Sequence, residues 1–203
     1  GLVSANRKKK DAYYLYQAIL NKTPFVGITS KAWKKRSGIA DVLDGKTATQ
    51  PITVVGNSKN VELFLNGVSL GTKTFDFSTA IFNVPLVQGN NLIEVVSKQN
   101  GKTLKDFAII DFTLQPKQLK STTNPFKEIA LNVGSTCYFV EAHNVDYLWM
   151  PDQAYTKGSF GHVGGALLRH PSKRRNTIGT DVSVKGTEND PIYQTQLIGI
   201  EQY

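Results

Sequence analysis

The run Val61-Glu62-Leu63-Phe64-Leu65-Asn66-Gly67-Val68-Ser69-Leu70-Gly71 decides the fold of this 203-residue chain. Apolar residues at positions 61, 63 and 65 alternate with residues 62, 64 and 66, which is the period of a strand with one face in a core. Asn66 and Gly67 tolerate positive φ, so they predict a type I′ turn, and the alternation resumes at Val68 and Leu70. Strand, Asn-Gly, strand is a strong hairpin signal. We therefore predict an antiparallel β-sandwich in the middle of the chain.

Further strand-like runs surround this hairpin and are separated by turn residues. They lie at residues 25–29, 52–56, 61–65, 68–75, 80–86, 91–98 and 104–114. Short strands with a turn signal roughly every 8–12 residues are typical of an immunoglobulin-like sandwich. The chain has a single cysteine, Cys137, so this sandwich has no internal disulfide. Because Cys137 lies in a strand-like apolar run, we expect its thiol to be buried and inert.

A helix is predicted before the sandwich, over Asp11–Leu20, with Asp11 placed to offset the dipole at its N-terminus. Its apolar residues cover most of its circumference, and such a helix is normally buried on several sides. Only one neighbouring domain follows in the chain, so we expect the helix to pack against protein outside these residues or against a second copy. An exposed patch around Tyr13, Leu15, Tyr16 and Ile19 would promote such a homo-oligomer.

The composition and hydrophobic pattern of the sequence change after the sandwich. Residues 115–124 are polar and carry Pro116, as a linker does, and residues 125–203 contain few convincing strands. We predict strands at 129–133 and 137–140, a long loop at 147–165 and an exposed turn at 173–176. The predicted organisation is therefore a terminal helix (1–22), the sandwich (23–114), a linker (115–124) and an incomplete β domain (125–203).

The net charge of +8 is concentrated at one end of the chain. Residues 1–38 contain nine Lys or Arg residues and one Asp, so the remainder is close to neutral. A nucleic-acid-binding protein spreads basic and aromatic residues over a binding face, so this distribution does not favour nucleic acid as a partner. No apolar run approaches the roughly 20 residues that span a bilayer, so we expect no membrane span.

Residue patterns typical of catalysis are not found in the sequence. Glycoside hydrolysis needs two carboxylates across a cleft, and no such pair is framed here. The spacing of His143, His162 and His170 is not that of metal ligands. The glycine-rich run 158–165 lacks the Lys-Ser/Thr of a phosphate-binding loop. We therefore predict no catalytic residue, no cofactor and no metal site.

Sugar binding is the one site hypothesis that composition supports. Aromatic faces stack on the apolar face of a pyranose, while carboxylates and amides bind its hydroxyl groups. Trp149, Tyr155, Phe160 and Tyr193 lie in loop-like sequence with polar neighbours that include Asp152. The alternative is that these aromatic residues fill a core beneath long loops, and composition alone favours that alternative.

Three stretches resemble glycoside hydrolases of family two, the β-galactosidases, β-glucuronidases and β-mannosidases. Residues 1–18 look like the end of the catalytic barrel of these enzymes, and 24–36 like the crossover into the next domain. The run 61–71 resembles the immunoglobulin-like domain of bacterial members. The resemblance implies the non-catalytic C-terminal part of an exported, periplasmic or extracellular, β-galactosidase-like enzyme. Its catalytic glutamates would lie upstream of Gly1, and its missing barrel would be a partner of the helix.

The last segment is similar to malectin-like carbohydrate-binding domains, which are galactose-binding-like β folds. The likeness rests on residues 131–135, 149–152, 158–165 and 190–195. It implies that Tyr193 stacks on a sugar and that Phe160 and His162 replace a second binding tyrosine, with Trp149 and Asp152 nearby. The chain would then be a structural spacer with a carbohydrate-binding module. The alternative is a stand-alone carbohydrate-binding or adhesion protein, which a start codon near Gly1 would favour.

Overall fold

The computed structural model describes residues 1–123, 125–126, 128–141, 143–144, 147–168 and 183–203. The chain divides into two compact units, Gly1–Gln115 and Pro116–Tyr203. Among these described residues, no helix has both the length and the apolar character needed to cross a membrane. His170 and the predicted turn at 173–176 lie outside the described residues.

The first unit consists of one helix and two β-sheets. The helix α1 spans Asp11–Leu20, as predicted. The strands are β1 (Val26–Ile28), β2 (Lys35–Ile39), β3 (Thr47–Gly56), β4 (Asn60–Leu65), β5 (Val68–Thr74), β6 (Thr79–Val87), β7 (Gly89–Gln99) and β8 (Lys102–Gln115). One sheet has the order β1-β3-β6 and the other β2-β8-β7-β4-β5. All neighbouring pairs are antiparallel except β2, which runs parallel to β8.

The core of the first unit consists of inward-facing residues from both sheets. Its most deeply buried members are Ile52, Val54, Val61, Leu63, Phe82, Val84, Leu86, Ile93, Val95, Ile110 and Phe112. Alternate residues of β6, β7 and β8 contribute to this core, as expected for strands with one buried and one exposed face. The mostly β, antiparallel sandwich is therefore confirmed.

The Asn66-Gly67 turn forms as predicted. Asn66 has a φ of 50° and Gly67 a φ of 81°, and Leu65 pairs with Val68 across the turn. Leu63 is fully buried on β4. The return strand differs from the prediction, because Val68 is 67% exposed and β5 lies at the edge of its sheet.

Strand β2 is absent from the sequence prediction. Its residues, Lys-Arg-Ser-Gly-Ile, show no alternation of apolar and polar side chains. The strand forms because it pairs in parallel with β8, from Lys35 opposite Asp111 to Ile39 opposite Gln115. Gly38 permits this close packing, since a Cβ there would lie 2.9 Å from the ring of Phe112. Tertiary pairing outweighs local propensity at this position.

The second unit contains short strands and one turn of 3-10 helix. The strands are β9 (Leu131–Asn132), β10 (Phe139–Val140), β11 (Leu148–Pro151), β12 (Val163–Leu167) and β13 (Leu197–Gln202), and the 3-10 helix spans Asp190–Ile192. They form the sheets β10-β11-β9 and β12-β13. The prediction of a continuous loop over 147–165 is therefore wrong, because β11 and the start of β12 lie within it.

The burial predicted for Cys137 is also wrong. The residue is exposed and lies before β10, outside the ladder that pairs Phe139 with Trp149. Its backbone N–H donates to the hydroxyl of Ser135, so it belongs to a turn rather than to a strand. A side chain in a surface turn has no sheet face to pack against.

Candidate functional site

Two of the segments that resemble malectin-like domains are joined through a buried asparagine. Asn132, 2% exposed, donates from Nδ2 to the carbonyl oxygen of Pro191 at 3.4 Å. The Thr195 hydroxyl lies 3.2 Å from Asn132 Oδ1 and 2.9 Å from the carbonyl oxygen of Val133. The fold therefore brings residues 131–135 and 190–195 together, although 59 positions separate Asn132 from Pro191.

Asp152 connects three parts of the second unit immediately after β11. Its Oδ2 accepts a hydrogen bond from the backbone N–H of Gly134 at 2.9 Å. Its Oδ1 accepts from the Gln153 N–H at 2.8 Å and from the Tyr203 hydroxyl at 2.6 Å. A carboxylate has about four acceptor positions, so these three bonds leave it little capacity for a ligand. Asp152 therefore fixes the geometry of this region.

A shallow depression of about 250 Å³ lies beside Asp152. It is lined by Gly134, Ser135, Thr136, Asp152, Gln153, Ala154, His162, Gly165, Ala166, Leu167 and Leu197. Its volume is below the roughly 300–1,000 Å³ of pockets for drug-sized ligands, so it matches a ligand the size of one sugar ring. Two of the predicted sugar-binding residues, Asp152 and His162, meet here.

The imidazole of His162 is oriented by the backbone. Its Nδ1 lies 2.7 Å from the carbonyl oxygen of Gly164, and because a carbonyl can only accept, Nδ1 carries the hydrogen. The other ring nitrogen, Nε2, is then an acceptor when the ring is neutral. His162 thus offers a hydrogen-bond acceptor suited to a hydroxyl group.

Close packing of the backbone explains why glycine is required in the run 158–165. Gly161 has a φ of 136°, and a Cβ there would collide with the carbonyl oxygen of Gln153. This close approach lets the His162 N–H donate to that same oxygen at 3.0 Å. Gln153 Nε2 in turn donates to the carbonyl oxygen of Phe160 at 2.9 Å. The run therefore positions His162 and does not form a phosphate-binding loop.

Phe160 cannot be the sugar platform that the sequence suggested. It is 8% exposed and packs edge-on against Phe126, with ring centroids 5.7 Å apart. This corresponds to the alternative in which aromatic residues fill a core beneath the loops. Trp149 is half-buried on β11, where its Nε1 donates to Glu141 Oε1 at 2.9 Å and its ring packs edge-on against Tyr147.

Tyr193 is available to a ligand but lies outside the depression. It follows the 3-10 helix and is 64% exposed, and it is not among the residues that line the depression. Asp190 fixes this helix, because its carboxylate accepts from the Ser183 hydroxyl and the Val184 N–H. The five predicted residues thus lie in separate places, with Asp152 and His162 in one of them.

Sequence reasoning missed Tyr203 at this site. Burial of the phenol raises its pKa well above the usual value, and the hydrogen bond to Asp152 raises it further. Thr136, which lines the depression, was not predicted either, whereas Gln153 was expected as a polar neighbour of the aromatic residues. No local pattern marks these residues, because Asp152 and Tyr203 meet only when the chain is folded.

Metal binding finds no support in the geometry of the described residues. No group of three or more His, Cys, Asp or Glu side chains among them is close enough to hold an ion. His143 instead lies 2.7 Å from Glu188, with both side chains exposed.

Comparison with known proteins finds a family model and a relative that each match part of this chain. A family model described as a domain of unknown function (DUF4982) matches residues 48–105, which lie within the sandwich. A protein of Formosa agariphila assigned as a β-glucuronidase is 35% identical over 118 residues, covering 55% of this chain and 14% of that protein.

Solved structures extend this likeness to both units. A mutant of Bacteroides uniformis β-glucuronidase 2 matches with a TM-score of 0.83 and 33% identity, over 96% of this chain and 22% of that one. Bacteroides uniformis β-glucuronidase 3 matches with a TM-score of 0.51 and 29% identity, over 58% of this chain and 15% of that one. This chain therefore spans between about a seventh and a fifth of the length of these relatives.

The chain is similar to a part of β-glucuronidases, which are glycoside hydrolase family two enzymes. Within the class, these relatives are β-glucuronidases, whereas the sequence analysis expected a β-galactosidase-like enzyme. The expected likeness to part of a glycoside hydrolase family two enzyme is therefore confirmed, and the relatives that carry it are β-glucuronidases.

Proposed function

We propose that this chain is the non-catalytic part of a bacterial glycosidase of the β-glucuronidase kind. The first unit acts as a structural spacer and the second as a carbohydrate-binding module. The observation that carries the proposal is the match to Bacteroides uniformis β-glucuronidase 2 over 96% of this chain but 22% of that enzyme. The proposal assigns catalysis to protein beyond these residues and includes a periplasmic or extracellular location for the enzyme.

The partner proposed for the first unit is the catalytic domain of the same enzyme. Helix α1 buries only Ala18 deeply, whereas Tyr16, Ile19 and Leu20 are 51%, 55% and 74% exposed. These three residues form what we call the helix patch. Apolar side chains grouped in this way favour contact with another protein surface. A second copy of the chain could cover the helix patch in the same way, which would give a homo-oligomer.

The ligand proposed for the second unit is a single sugar ring in the depression beside Asp152. His162 Nε2 offers an acceptor, and the Thr136 hydroxyl offers a further polar group on the wall. Leu167 and Leu197 supply an apolar surface for the C–H face of the ring. Because the depression is shallow, we expect weak binding, with a dissociation constant on the order of 1 mM.

The test is a pair of measurements on the 203-residue chain. Incubation with p-nitrophenyl β-D-glucuronide and the corresponding galactoside should release no nitrophenol above the buffer rate. Titration with the methyl β-glycosides of glucuronic acid and galactose should move the amide NMR signals of His162 and Gly165. His162→Ala should abolish those shifts, and His143→Ala, an exposed histidine paired with Glu188, should leave them unchanged.

Either of two results would contradict this proposal. Turnover proportional to protein concentration would show that the chain holds its own active site. Equal loss of the shifts in both histidine variants would show that the response is not specific to the depression.

A further inference from the structure

The outer face of the five-stranded sheet presents an apolar platform to solvent. On β8, Phe107 is 64% exposed and Ile109 is 52% exposed, while the alternate residues Ala108 and Ile110 face the core. Leu92 lies opposite Ile109 on β7 and extends the same face. We refer to Phe107 and Ile109 as the platform. Neither side chain belongs to the core of the sandwich, so both are accessible to a ligand.

Three lysines border the platform on one side. Together with it they enclose an open cleft of about 530 Å³, a volume in the range of small-ligand sites. The cleft is lined by Lys31, Lys34, Lys35, Asn90, Phe107, Ala108, Ile109 and Asp111. Lys31 forms an ion pair with Asp106 at 2.7 Å, while the exposed ammonium group of Lys34 meets no acidic partner in the described part of the chain. The rim of the cleft is therefore cationic.

The loop that carries Lys31 and Lys34 is held by buried and charged contacts. Arg36 is 8% exposed and donates from Nε to the carbonyl oxygen of Trp33 at 3.1 Å and from a terminal nitrogen to that of Ser30 at 3.2 Å. Desolvation lowers the pKa of Arg36, and Asp11 partly offsets this effect. These contacts give the cleft a fixed shape before any ligand arrives, which reduces the entropy cost of binding.

Two further carboxylates fix the same loop from outside it. Asp11, in the first turn of α1, accepts from the Ser30 N–H at 2.9 Å and from the Ser30 hydroxyl at 3.0 Å. Asp106, on β8, accepts from the Ile28 N–H at 2.8 Å at the end of β1. Elements from three places in the chain thus position the lysines over the platform.

We propose that this cleft binds an acidic oligosaccharide, with a uronate carboxylate at Lys34 and the C–H face of the sugar on Phe107. A lysine ammonium is a point charge suited to a carboxylate, and an aromatic ring is suited to the apolar face of a pyranose. The Asn90 amide and the Asp111 carboxylate lie in the same cleft and supply a donor and an acceptor for hydroxyl groups.

A second depression shares Phe107 with the cleft, which favours a chain of sugars over a single one. It has a volume of about 520 Å³ and lies on the other side of Phe107, lined by Phe64, Gly67, Glu94, Val95, Val96, Lys105, Asp106 and Phe107. Phe107 is shared by both depressions, so its ring is open to a ligand from two sides. A linear oligosaccharide can cross the ring and enter both.

Nucleic acid fits this surface less well than a uronate chain does. Glu94 and Asp111 lie on the same face as the platform, and Asp106 belongs to the second depression. These carboxylates repel the charges of either polyanion, but a nucleic acid has few hydroxyl groups that could donate hydrogen bonds to them in return. A uronate chain brings hydroxyl groups as well, and carboxylates accept hydrogen bonds from hydroxyls.

The test uses isothermal titration calorimetry on the 203-residue chain with a trisaccharide of galacturonic acid at low salt. We expect saturable binding, and at least tenfold weaker binding of the neutral galactose trisaccharide. Phe107→Ala and Lys34→Gln should each weaken binding of the acidic trisaccharide about tenfold, equivalent to about 1.4 kcal/mol. Raising the salt concentration should also weaken it, because the cleft is open to screening ions.

Matched control variants come from the same unit. Phe77 is 91% exposed and lies outside both depressions, and Lys59 is an exposed lysine on another turn. Phe77→Ala and Lys59→Gln should leave the affinity unchanged. Circular dichroism of each variant checks that the sandwich is folded.

Several outcomes would overturn the proposal. They are equal affinity for the neutral trisaccharide, equal losses in the control variants, or tighter binding of a short DNA duplex than of the acidic trisaccharide. The site lies in the first unit, so His162→Ala should not affect it. Failure of the proposal for this cleft is therefore distinguishable from failure of the proposed sugar site of the second unit.

Discussion

At the scale of single residues, Asp152 and Phe160 show that the sequence can locate a candidate region without predicting the role of each side chain in it. Both were predicted to contact sugar, and both prove to be structural in large part. Asp152 uses its oxygens on Gly134, Gln153 and Tyr203, while Phe160 fills a core against Phe126. The sequence shows that a carboxylate and an aromatic ring lie close to glycines along the chain. It does not show which way each side chain points, because that depends on residues far away in the chain.

The hydrogen bond between Tyr203 and Asp152 predicts a dependence of stability on alkaline pH. The pKa of Tyr203 is raised in the folded chain, so folding favours the neutral phenol. This contribution is fully present below the pKa of an unfolded tyrosine, about 10, and is lost as the pH rises above it. We expect urea unfolding of the second unit to become easier above about pH 10. Trp149 fluorescence in a Trp33→Phe background reports on this unit alone.

Replacing Tyr203 by Phe should remove this alkaline loss and should lower stability at neutral pH by about 1 kcal/mol, because one partly exposed hydrogen bond is lost. Tyr193→Phe is the matched control, since Tyr193 is exposed and remote from the depression. An identical pH profile for Tyr203→Phe and the parent chain would contradict the prediction.

At the scale of elements, the helices and strands that were predicted are those with a clear sequence pattern, and those that were missed lack one. Helix α1 and the β4–β5 hairpin were located from periodicity and turn residues, since their information lies within a dozen neighbouring positions. Strand β2 carries no such signal and exists because β8 pairs with it. In the second unit three of the five described strands have four residues or fewer, too few for a period to be read.

The attachment of α1 depends on Asp11, which predicts a local loosening when that carboxylate is removed. Asp11 ties the helix to Ser30 through two hydrogen bonds. Hydrogen bonds to a charged group contribute roughly 1.5–3 kcal/mol. We therefore expect Asp11→Ala to speed hydrogen exchange of the α1 amides by at least about tenfold, while the amides of β7 exchange as before.

Two controls sharpen the measurement on α1. Asp11→Asn keeps one acceptor oxygen and should show a smaller effect. Lys10→Ala should have little effect, because Lys10 forms no side-chain capping bond among the described residues. Equal exchange in Asp11→Ala and the parent chain would show that α1 is held by packing alone.

At the scale of the whole molecule, the change in sequence texture after the sandwich marks a division that the structure places between Gln115 and Pro116. The likeness to glycoside hydrolases of family two could be predicted because the motifs that carry it lie within these residues. The choice between β-glucuronidase and β-galactosidase could not, since substrate choice belongs to an active site for which these residues offer no framed pair of carboxylates. The comparisons name β-glucuronidases as relatives.

The first unit should fold without the second. Its hydrophobic core is made by residues between Val26 and Leu114, all of which precede Pro116. We expect residues 1–115, expressed alone, to unfold in urea in one cooperative transition followed by Trp33 fluorescence and circular dichroism. A gradual, non-cooperative loss of signal would show that this core needs protein from beyond residue 115.

The parallel pairing of β2 with β8 has a mechanical consequence. Five ladder pairs join the two strands, up to Ile39 opposite Gln115, and the Ala40 N–H donates to the carbonyl oxygen of Gln115 at 2.8 Å. A pull on the chain at residue 116, directed along β8, loads these pairs in shear and all at once, whereas a hairpin pulled at its open end yields one pair at a time. The sandwich is thus built to transmit tension along its last strand.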